Sequence, residues 1–344
     1  MTGSNDTHMK REIGQIPQVV ADLLGAGRPA IREAAQALGV AKPRLVATIA
    51  RGSSDHAASY FKYGCELVAR LPVASIGPSV ASIYGVDLKL QQAGAIAISQ
   101  SGKSPDIVSM LQSARRSGAC AIAITNDAGS PLAESANNVI DILAGTEQSV
   151  AATKTFVTSV VAGLAVVAHL AQDESLLAAL DNLPDALEKA LACDWSPLIT
   201  ALDGHNSLYV LGRGPGAAIA SEAALKFKET SGLHAEAYST AEVLHGPAAI
   251  VHKGFPVLAL CAQDKARDSI LQTCAKLSDQ GGKVFVTDPE PGAGTPLPVA
   301  RTAHGLTDPI ALVVSFYGFI EALARHRGFN PDTPPHLRKV TATV

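Results

Sequence analysis

The sequence predicts an α/β protein of two tandem domains, each a parallel sheet flanked by helices, with a C-terminal arm. Three observations carry this. Short apolar runs alternate with segments of helical periodicity, the alternation restarts in the second half, and the composition suits buried strands packed on small-residue helices. The chain has 344 residues, enough for two ordinary domains. Hydrophobic residues make up 47% and charged residues 17%, so a large core can be buried. Aromatics are only 4%, so that core rests on Ala, Val, Leu and Ile. Such a composition fits parallel strands covered on both faces.

In the first half, Leu45–Ile49, Ala95–Ile98, Ala121–Ile124 and Val139–Leu143 read as strands. Asp55–Arg70 and Pro105–Ser117 have helical periodicity, Thr155–Gln172 reads as a long closing helix, and Asp173–Ser196 as a helical bridge. Strand–helix alternation of this kind means βαβ units with right-handed crossovers. In the second half, Leu208–Leu211, Pro256–Leu260 and Lys283–Thr287 read as strands. Ala217–Thr230, Arg267–Gln280 and Pro309–Ala324 read as helices. The restart resembles an internal repeat. Val46-Ala-Thr-Ile-Ala-Arg-Gly52 and Leu208-Tyr-Val-Leu-Gly-Arg-Gly214 are both strands that end in Arg-Gly and run into a helix. The expected divisions are a helical lead-in over 1–35, domains over 36–193 and 194–328, and an arm over 329–344.

The net charge of −3 gives no reason to expect nucleic acid or an anionic membrane as partner. The five cysteines are scattered and never form C-x-x-C, which fits reduced thiols in a cytoplasmic protein. The N-terminus carries no apolar h-region, and the apolar stretch from Val160 to Ala168 is stopped by His169, so no signal peptide and no transmembrane helix are expected. His234, Glu236 and His245 do not have metal-ligand spacing, so neither a metal nor another cofactor is expected.

Two segments follow predicted strands and open predicted helices. In Ile98-Ser-Gln-Ser-Gly-Lys-Ser-Pro-Asp106, hydroxyls and backbone N–H groups meet the positive end of a helix dipole. Ser99, Gln100, Ser101 and Ser104 are the natural ligands for a phosphate there. The same residues also read as a plain N-cap, with Ser104 capping and Pro105 at N1. In Arg51-Gly-Ser-Ser-Asp-His56, Ser53 and Ser54 offer hydroxyls at the carboxyl edge of the sheet. Gly212-Arg-Gly-Pro-Gly216 is not a dinucleotide fingerprint. Glu147-Gln-Ser-Val-Ala-Ala-Thr-Lys154 reads as a loop into a helix that could lie over a ligand. The richest stretch is Ser221-Glu-Ala-Ala-Leu-Lys-Phe-Lys-Glu229, followed by His234-Ala-Glu-Ala-Tyr238 and Glu242-Val-Leu-His-Gly-Pro247. It reads as one helix and the turns after it. Lys226 and Glu229 share a helix face at a spacing of three. A carboxylate beside an ammonium and near an imidazole can move protons; ordinary surface pairing is the other reading.

Together these residues resemble the double sugar isomerase (SIS) domain family, and especially its type II glucosamine-6-phosphate deaminases. They are also similar to the isomerase half of glucosamine-6-phosphate synthase. The closer wording lies in Arg-Gly-Ser-Ser-Asp-His-Ala at 51–57, Pro78-Ser-Val-Ala-Ser82, Val150-Ala-Ala-Thr-Lys154, Asn330-Pro-Asp332 and the terminal Leu-Arg-Lys-Val-Thr. The resemblance implies two flavodoxin-like, three-layer αβα domains and a homodimer with shared active sites. It implies phosphate contacts from Ser99, Gln100, Ser101 and Ser104, sugar-phosphate contacts from Ser53 and Ser54, and sugar contacts near Val150 and Ala152. Ala152 stands where synthases usually carry serine. It further implies Glu229 as the base between C1 and C2, with Lys226 as its helix neighbour. His245 is implied as a ring-opening histidine contributed across the dimer, and Lys339 as a Schiff-base lysine.

Synthases carry an N-terminal glutaminase domain that supplies ammonia, whereas this sequence begins with a short helical lead-in. The expected reaction is therefore glucosamine 6-phosphate plus water giving fructose 6-phosphate plus ammonia. Rival readings are a galactosamine-6-phosphate deaminase/isomerase, a fructosamine-phosphate deglycase, an aldose–ketose isomerase, or a non-catalytic sugar-phosphate sensor.

Overall fold

The computed structural model describes residues 6–289, 292 and 294–339. In chain order the elements begin with three helices: α1 (His8–Gly14), α2 (Ile16–Gly25) and α3 (Arg28–Ala41). There follow β1 (Leu45–Ile49), α4 (Ser53–Gly64), β2 (Val73–Ser75), α5 (Ser79–Ser82), β3 (Ala93–Ile98), α6 (Pro105–Arg116), β4 (Cys120–Thr125), α7 (Pro131–Glu134) and β5 (Asn138–Asp141). The helices α8 (Lys154–Ala171), α9 (Glu174–Asp181), α10 (Leu183–Leu191) and α11 (Ser196–Ala201) lead to β6 (Ser207–Gly212). Then come α12 (Pro215–Ser231), β7 (His234–Ser239), β8 (Pro256–Ala259), α13 (Arg267–Asp279), β9 (Lys283–Val286), β10 (Thr295–Pro296) and α14 (Asp308–His326).

The chain divides into two compact units, and neither is one continuous segment. The first comprises Gln18–Glu147, Lys154–Asp181 and the described residues 338–339. The second comprises 6–17, Gln148–Thr153 and Asn182–Leu337.

The first unit holds a five-stranded parallel sheet in the order β2-β1-β3-β4-β5. Two strands share an Ala-Ile-Ala-Ile sequence, and they pair in register: Ala95 lies beside Ala121 and Ile96 beside Ile122. Because side chains alternate across a strand, one face of the sheet is lined by alanines and the other by isoleucines. The alanine face lets α6 approach closely, with Ile107, Met110, Leu111 and Ala114 packed against it. Helix α8 packs against α3 and α4, and every residue from Lys154 to Ala168 is buried. By length and composition alone α8 is apolar enough to cross a membrane, but 83% of it is buried, which accounts for its composition.

The second unit repeats the topology. Its parallel sheet runs β10-β9-β8-β6-β7, the same order once β6 is set against β1. The repeat reaches the backbone angles. Gly52 precedes α4 at φ 55°, ψ −136°, and Gly214 precedes α12 at φ 56°, ψ −134°. Only glycine adopts that region readily, so both strand–helix turns need it. Helix α12 packs on β6, β7 and α14, with Phe227 against Phe316 and Phe319.

Four expectations change. Residues 234–238 are not turns but strand β7, paired in parallel with β6. Asp55–Arg70 is an α-helix to Gly64 and then a π-helical stretch, Cys65–Ala69, stopped by the left-handed Arg70. The bridge Asp173–Ser196 is two helices broken at Asn182, with Pro184 in the first turn of the second. The edge strand β2 was too short to register as a periodic run.

Candidate active site

In the first unit the strand order reverses between β1 and β3, and ligands of open α/β sheets bind outside the carboxyl ends of strands at such a reversal. The loops leaving these two strands are Arg51–Ser54 and 99–104. They are tied together, because the Arg51 guanidinium pairs with the fully buried Asp106 carboxylate at the start of α6. The second loop is held in shape by its own backbone. The N–H groups of Asn126 and Leu132 donate to the carbonyls of Gln100 and Gly102, each at 3.1 Å. The Gly102 and Lys103 N–H groups donate to the hydroxyls of Ser99 and Ser101, each at 3.3 Å. Gly102 has φ +61°, and a Cβ there would lie 2.0 Å from the Ser130 hydroxyl. Among the described residues no acceptor is bonded to the N–H groups of Gln100, Ser101 and Ser104. Ser104 occupies the N-cap position of α6 without making a side-chain cap bond. Open N–H groups at a helix N-terminus can bind an oxyanion. Ser53 and Ser54 begin α4, whose N-cap is Gly52, and both are half-buried.

In the second unit, α12 carries three charged residues on one face. Glu222, Lys226 and Glu229 stand at spacings of four and three. The Lys226 ammonium lies 3.4 Å from Glu222 and pairs more closely with Glu229. The side chains of Lys226 and Glu222 are 1% and 0% exposed, whereas that of Glu229 is 23% exposed. The Tyr317 hydroxyl donates to Glu222 at 3.1 Å from α14. A buried ammonium between two carboxylates is held in one place, since losing either partner would strand charge in the core. The outer carboxylate, Glu229, lines a cavity of about 470 Å³ with Leu225, Lys228, Gly232, Phe329, Pro335 and Leu337. That volume suits a small-molecule ligand. His245 ends a short 3₁₀ turn, Glu242–His245, and is exposed beside Leu244.

The segment around residue 150 is gripped from α1. The buried Glu12 carboxylate accepts from the N–H of Ser149 and, in short contacts, from the Ser149 hydroxyl and the Gln148 N–H. The Val150 N–H donates to the Asp332 carbonyl at 3.2 Å. The Asp332 side chain accepts from the His8 and Met9 N–H groups, each at 2.8 Å. Val150 and Ala152 are thus both set in a braced loop of the second unit. Lys339 belongs to the first unit, where its ammonium lies 2.6 Å from Glu147. Glu147 is fully buried at its side chain and also accepts from the N–H (3.2 Å) and hydroxyl (2.7 Å) of Thr155. Among the described residues no group of three His, Cys, Asp or Glu side chains is placed to hold a metal.

The SIS domain matches residues 40–169 and 202–290. The chain belongs to the SIS domain family. A relative named glutamine–fructose-6-phosphate aminotransferase (isomerizing), from Pyrobaculum aerophilum, is 33% identical over 98% of this SIS chain, which spans 57% of that relative's length. The homology is to its isomerase domain. A crystal structure from Silicibacter pomeroyi DSS-3, provisionally called a phosphosugar isomerase, is 51% identical with a TM-score of 0.92, covering 95% of this chain and 100% of that one. Two more distant structures share the fold. They are the C-terminal domain of glucosamine-fructose-6-phosphate aminotransferase from Francisella tularensis (24% identity, TM-score 0.85, 97% and 100% covered) and glucosamine-6-phosphate deaminase from Thermotoga maritima (21%, 0.73, 94% and 100%).

In this SIS chain the serines at 53, 54, 99, 101 and 104, with Gln100, edge one sheet. Lys226 and Glu229 are in direct contact, and His245 is on an exposed turn. Sequence reasoning missed Asp106, Glu147, Glu222, Glu12 and Tyr317. Glu222 was visible four residues before Lys226. Tyr317 and Glu12 carry no local signal, because their partners lie far away in the chain.

Proposed function

We propose that the chain is a glucosamine-6-phosphate deaminase that converts glucosamine 6-phosphate and water into fructose 6-phosphate and ammonia. The observation that carries this reading is Glu229: a partly exposed carboxylate at a cavity, clamped by a buried ammonium. The open N–H groups at 100, 101 and 104 support a phosphorylated substrate, and the motif wording at 51–57 and 150–154 favours the deaminases within the family.

In this reading the loop 99–104 holds the phosphate, an orienting role rather than a chemical one, with Ser53 and Ser54 adding sugar-phosphate contacts. Val150 and Ala152 line the sugar. His245 moves the proton that opens the ring, and its exposure beside Leu244 and Ile250 suits a residue offered to the site of a second copy in a homodimer. Glu229 takes the proton from C2 and returns it to C1 through an enolamine. Water adds to the resulting C2 imine, ammonia leaves, and the C2 ketone of fructose 6-phosphate remains. Lys226 holds Glu229 in place. In a Schiff-base route the neutral Lys339 amine, freed from Glu147, adds to the C2 imine and expels ammonia, and water then cleaves the new imine to the ketone and the free amine. The reading places the protein in the cytoplasm, in amino sugar metabolism.

The test is ammonia release from purified protein given glucosamine 6-phosphate, galactosamine 6-phosphate or N-acetylglucosamine 6-phosphate. The reading expects ammonia and fructose 6-phosphate in equal amounts from the first. Release only from another sugar would replace the substrate, and silence with all three would remove the deaminase reading.

A further inference from the structure

The two sheets have the same strand order, so the loop between β8 and α13 is the counterpart of the loop between β3 and α6. The first of these loops leaves the N–H groups of Gln100, Ser101 and Ser104 open. In the second, a buried carboxylate of the chain itself takes one of the N–H groups. The Gln263 N–H donates to the Asp308 carboxylate at 2.9 Å, and the Thr302 N–H donates to its other oxygen at 3.0 Å. Arg301 adds a charged donor at 2.7 Å, and its guanidinium is fixed by the carbonyls of Cys261 (3.0 Å) and Thr287 (2.6 Å). Asp308 is fully buried. Beside it, Asp288 at the end of β9 takes two hydrogen bonds from Arg267, at 2.8 and 2.9 Å.

We propose that the second SIS sheet retains an oxyanion site at its carboxyl edge and that the chain occupies it with its own Asp308 carboxylate. Two backbone N–H groups and a fixed guanidinium around one buried anion are the donors that bind phosphate elsewhere. Arg301 also approaches Asp288, at 3.6 Å, so the two buried carboxylates share its guanidinium. Asp264, in the same loop, has its carboxyl pushed up by burial and then by the nearby Asp308, as expected where negative charge is already in place. Removing the Asp308 carboxylate leaves the Gln263 and Thr302 N–H groups and the Arg301 guanidinium facing a hole of the right chemistry for an external oxyanion. The consequence for the intact chain is one phosphate-binding site per subunit despite the duplicated fold. This last point rests on the proposed role of the loop 99–104; the occupancy by Asp308 does not.

The test uses inorganic phosphate and a chain whose first loop is disabled by Ser101→Ala and Ser104→Ala. Titration calorimetry on that chain should show no phosphate site. Adding Asp308→Ala should restore one site per chain, with a rise in Tm on phosphate addition that the parent lacks. A folded Asp308→Ala chain with no phosphate site and no Tm response overturns the proposal. If Asp308→Ala does not fold, Asp308→Asn keeps the shape without the charge, and phosphate should raise its Tm. No rise there overturns the proposal. Should both variants fold only in phosphate, that dependence supports it, and failure to fold even then counts against it. If the doubly substituted parent still binds phosphate as the wild type does, the role of the loop 99–104 is wrong, and the Asp308 variants are read against that baseline.

Discussion

Lys226 and Glu229 form an ion pair across one turn of α12, with the ammonium in the core and the carboxylate at its edge. Glu222 and Tyr317 complete the arrangement from behind. Replacing Lys226 by alanine would leave Glu222 buried without its cation, at a cost of about 3–5 kcal/mol. Tyr317→Phe removes one hydrogen bond to a carboxylate and should cost about 1.5–3 kcal/mol. Urea unfolding midpoints check both, and a Lys226→Ala chain as stable as wild type would show that the pair is not what holds this face of α12.

The loop 99–104 is expected to bind and not to react. Ser101→Ala should raise KM, lowering kcat/KM by about 10-fold or more as a hydrogen bond to a charged oxygen is lost, with kcat nearly unchanged. A fall in kcat alone would mean the phosphate role is wrong.

Glu12 stands far in sequence from any motif, yet it gathers the donors of Gln148 and Ser149. Glu12→Ala should loosen the segment that carries Val150 and Ala152. Hydrogen exchange at Ser149 should speed up, and KM should rise through a less ordered sugar loop. Unchanged exchange at Ser149 would show that Asp332 alone braces it.

His169 supplies a pH signature. Burial lowers its pKa below the ordinary 6.5, and Arg32 and Arg28 push the same way against Asp181 and Glu174. The neutral ring is therefore favoured in the folded chain. As pH falls through 6.5 the unfolded chain takes up a proton that the folded chain resists, so stability present above that pH is lost below it. His169→Gln should flatten the fall in Tm between about pH 7 and about pH 5. An unchanged slope would place the acid sensitivity elsewhere.

Periodicity and composition were enough to read the two sheets and most helices. Ala95–Ile98 and Ala121–Ile124 announce buried strands, and the Arg-Gly turns after Ile49 and Leu211 announce the repeat. Strand β7 was hidden because His234 and Glu236 look polar, although they sit on an edge strand where alternate side chains meet solvent. The site was legible where its chemistry is local, as at 99–104 and in the spacing of Lys226 and Glu229. It was not legible where a buried charge finds its partner through the fold, as for Glu12 with Ser149, Arg51 with Asp106, and Tyr317 with Glu222. Such pairs are created by packing, and nothing in the spacing of one segment records them.

The central claim is that Glu229 moves the proton between C2 and C1. It is tested most directly with Glu229→Gln, which keeps the size and removes the basicity. Turnover of glucosamine 6-phosphate and its binding by calorimetry should be measured on the same preparation. The account predicts lost ammonia release with sugar-phosphate affinity retained; a Glu229→Gln protein that turns over at the wild-type rate would contradict it.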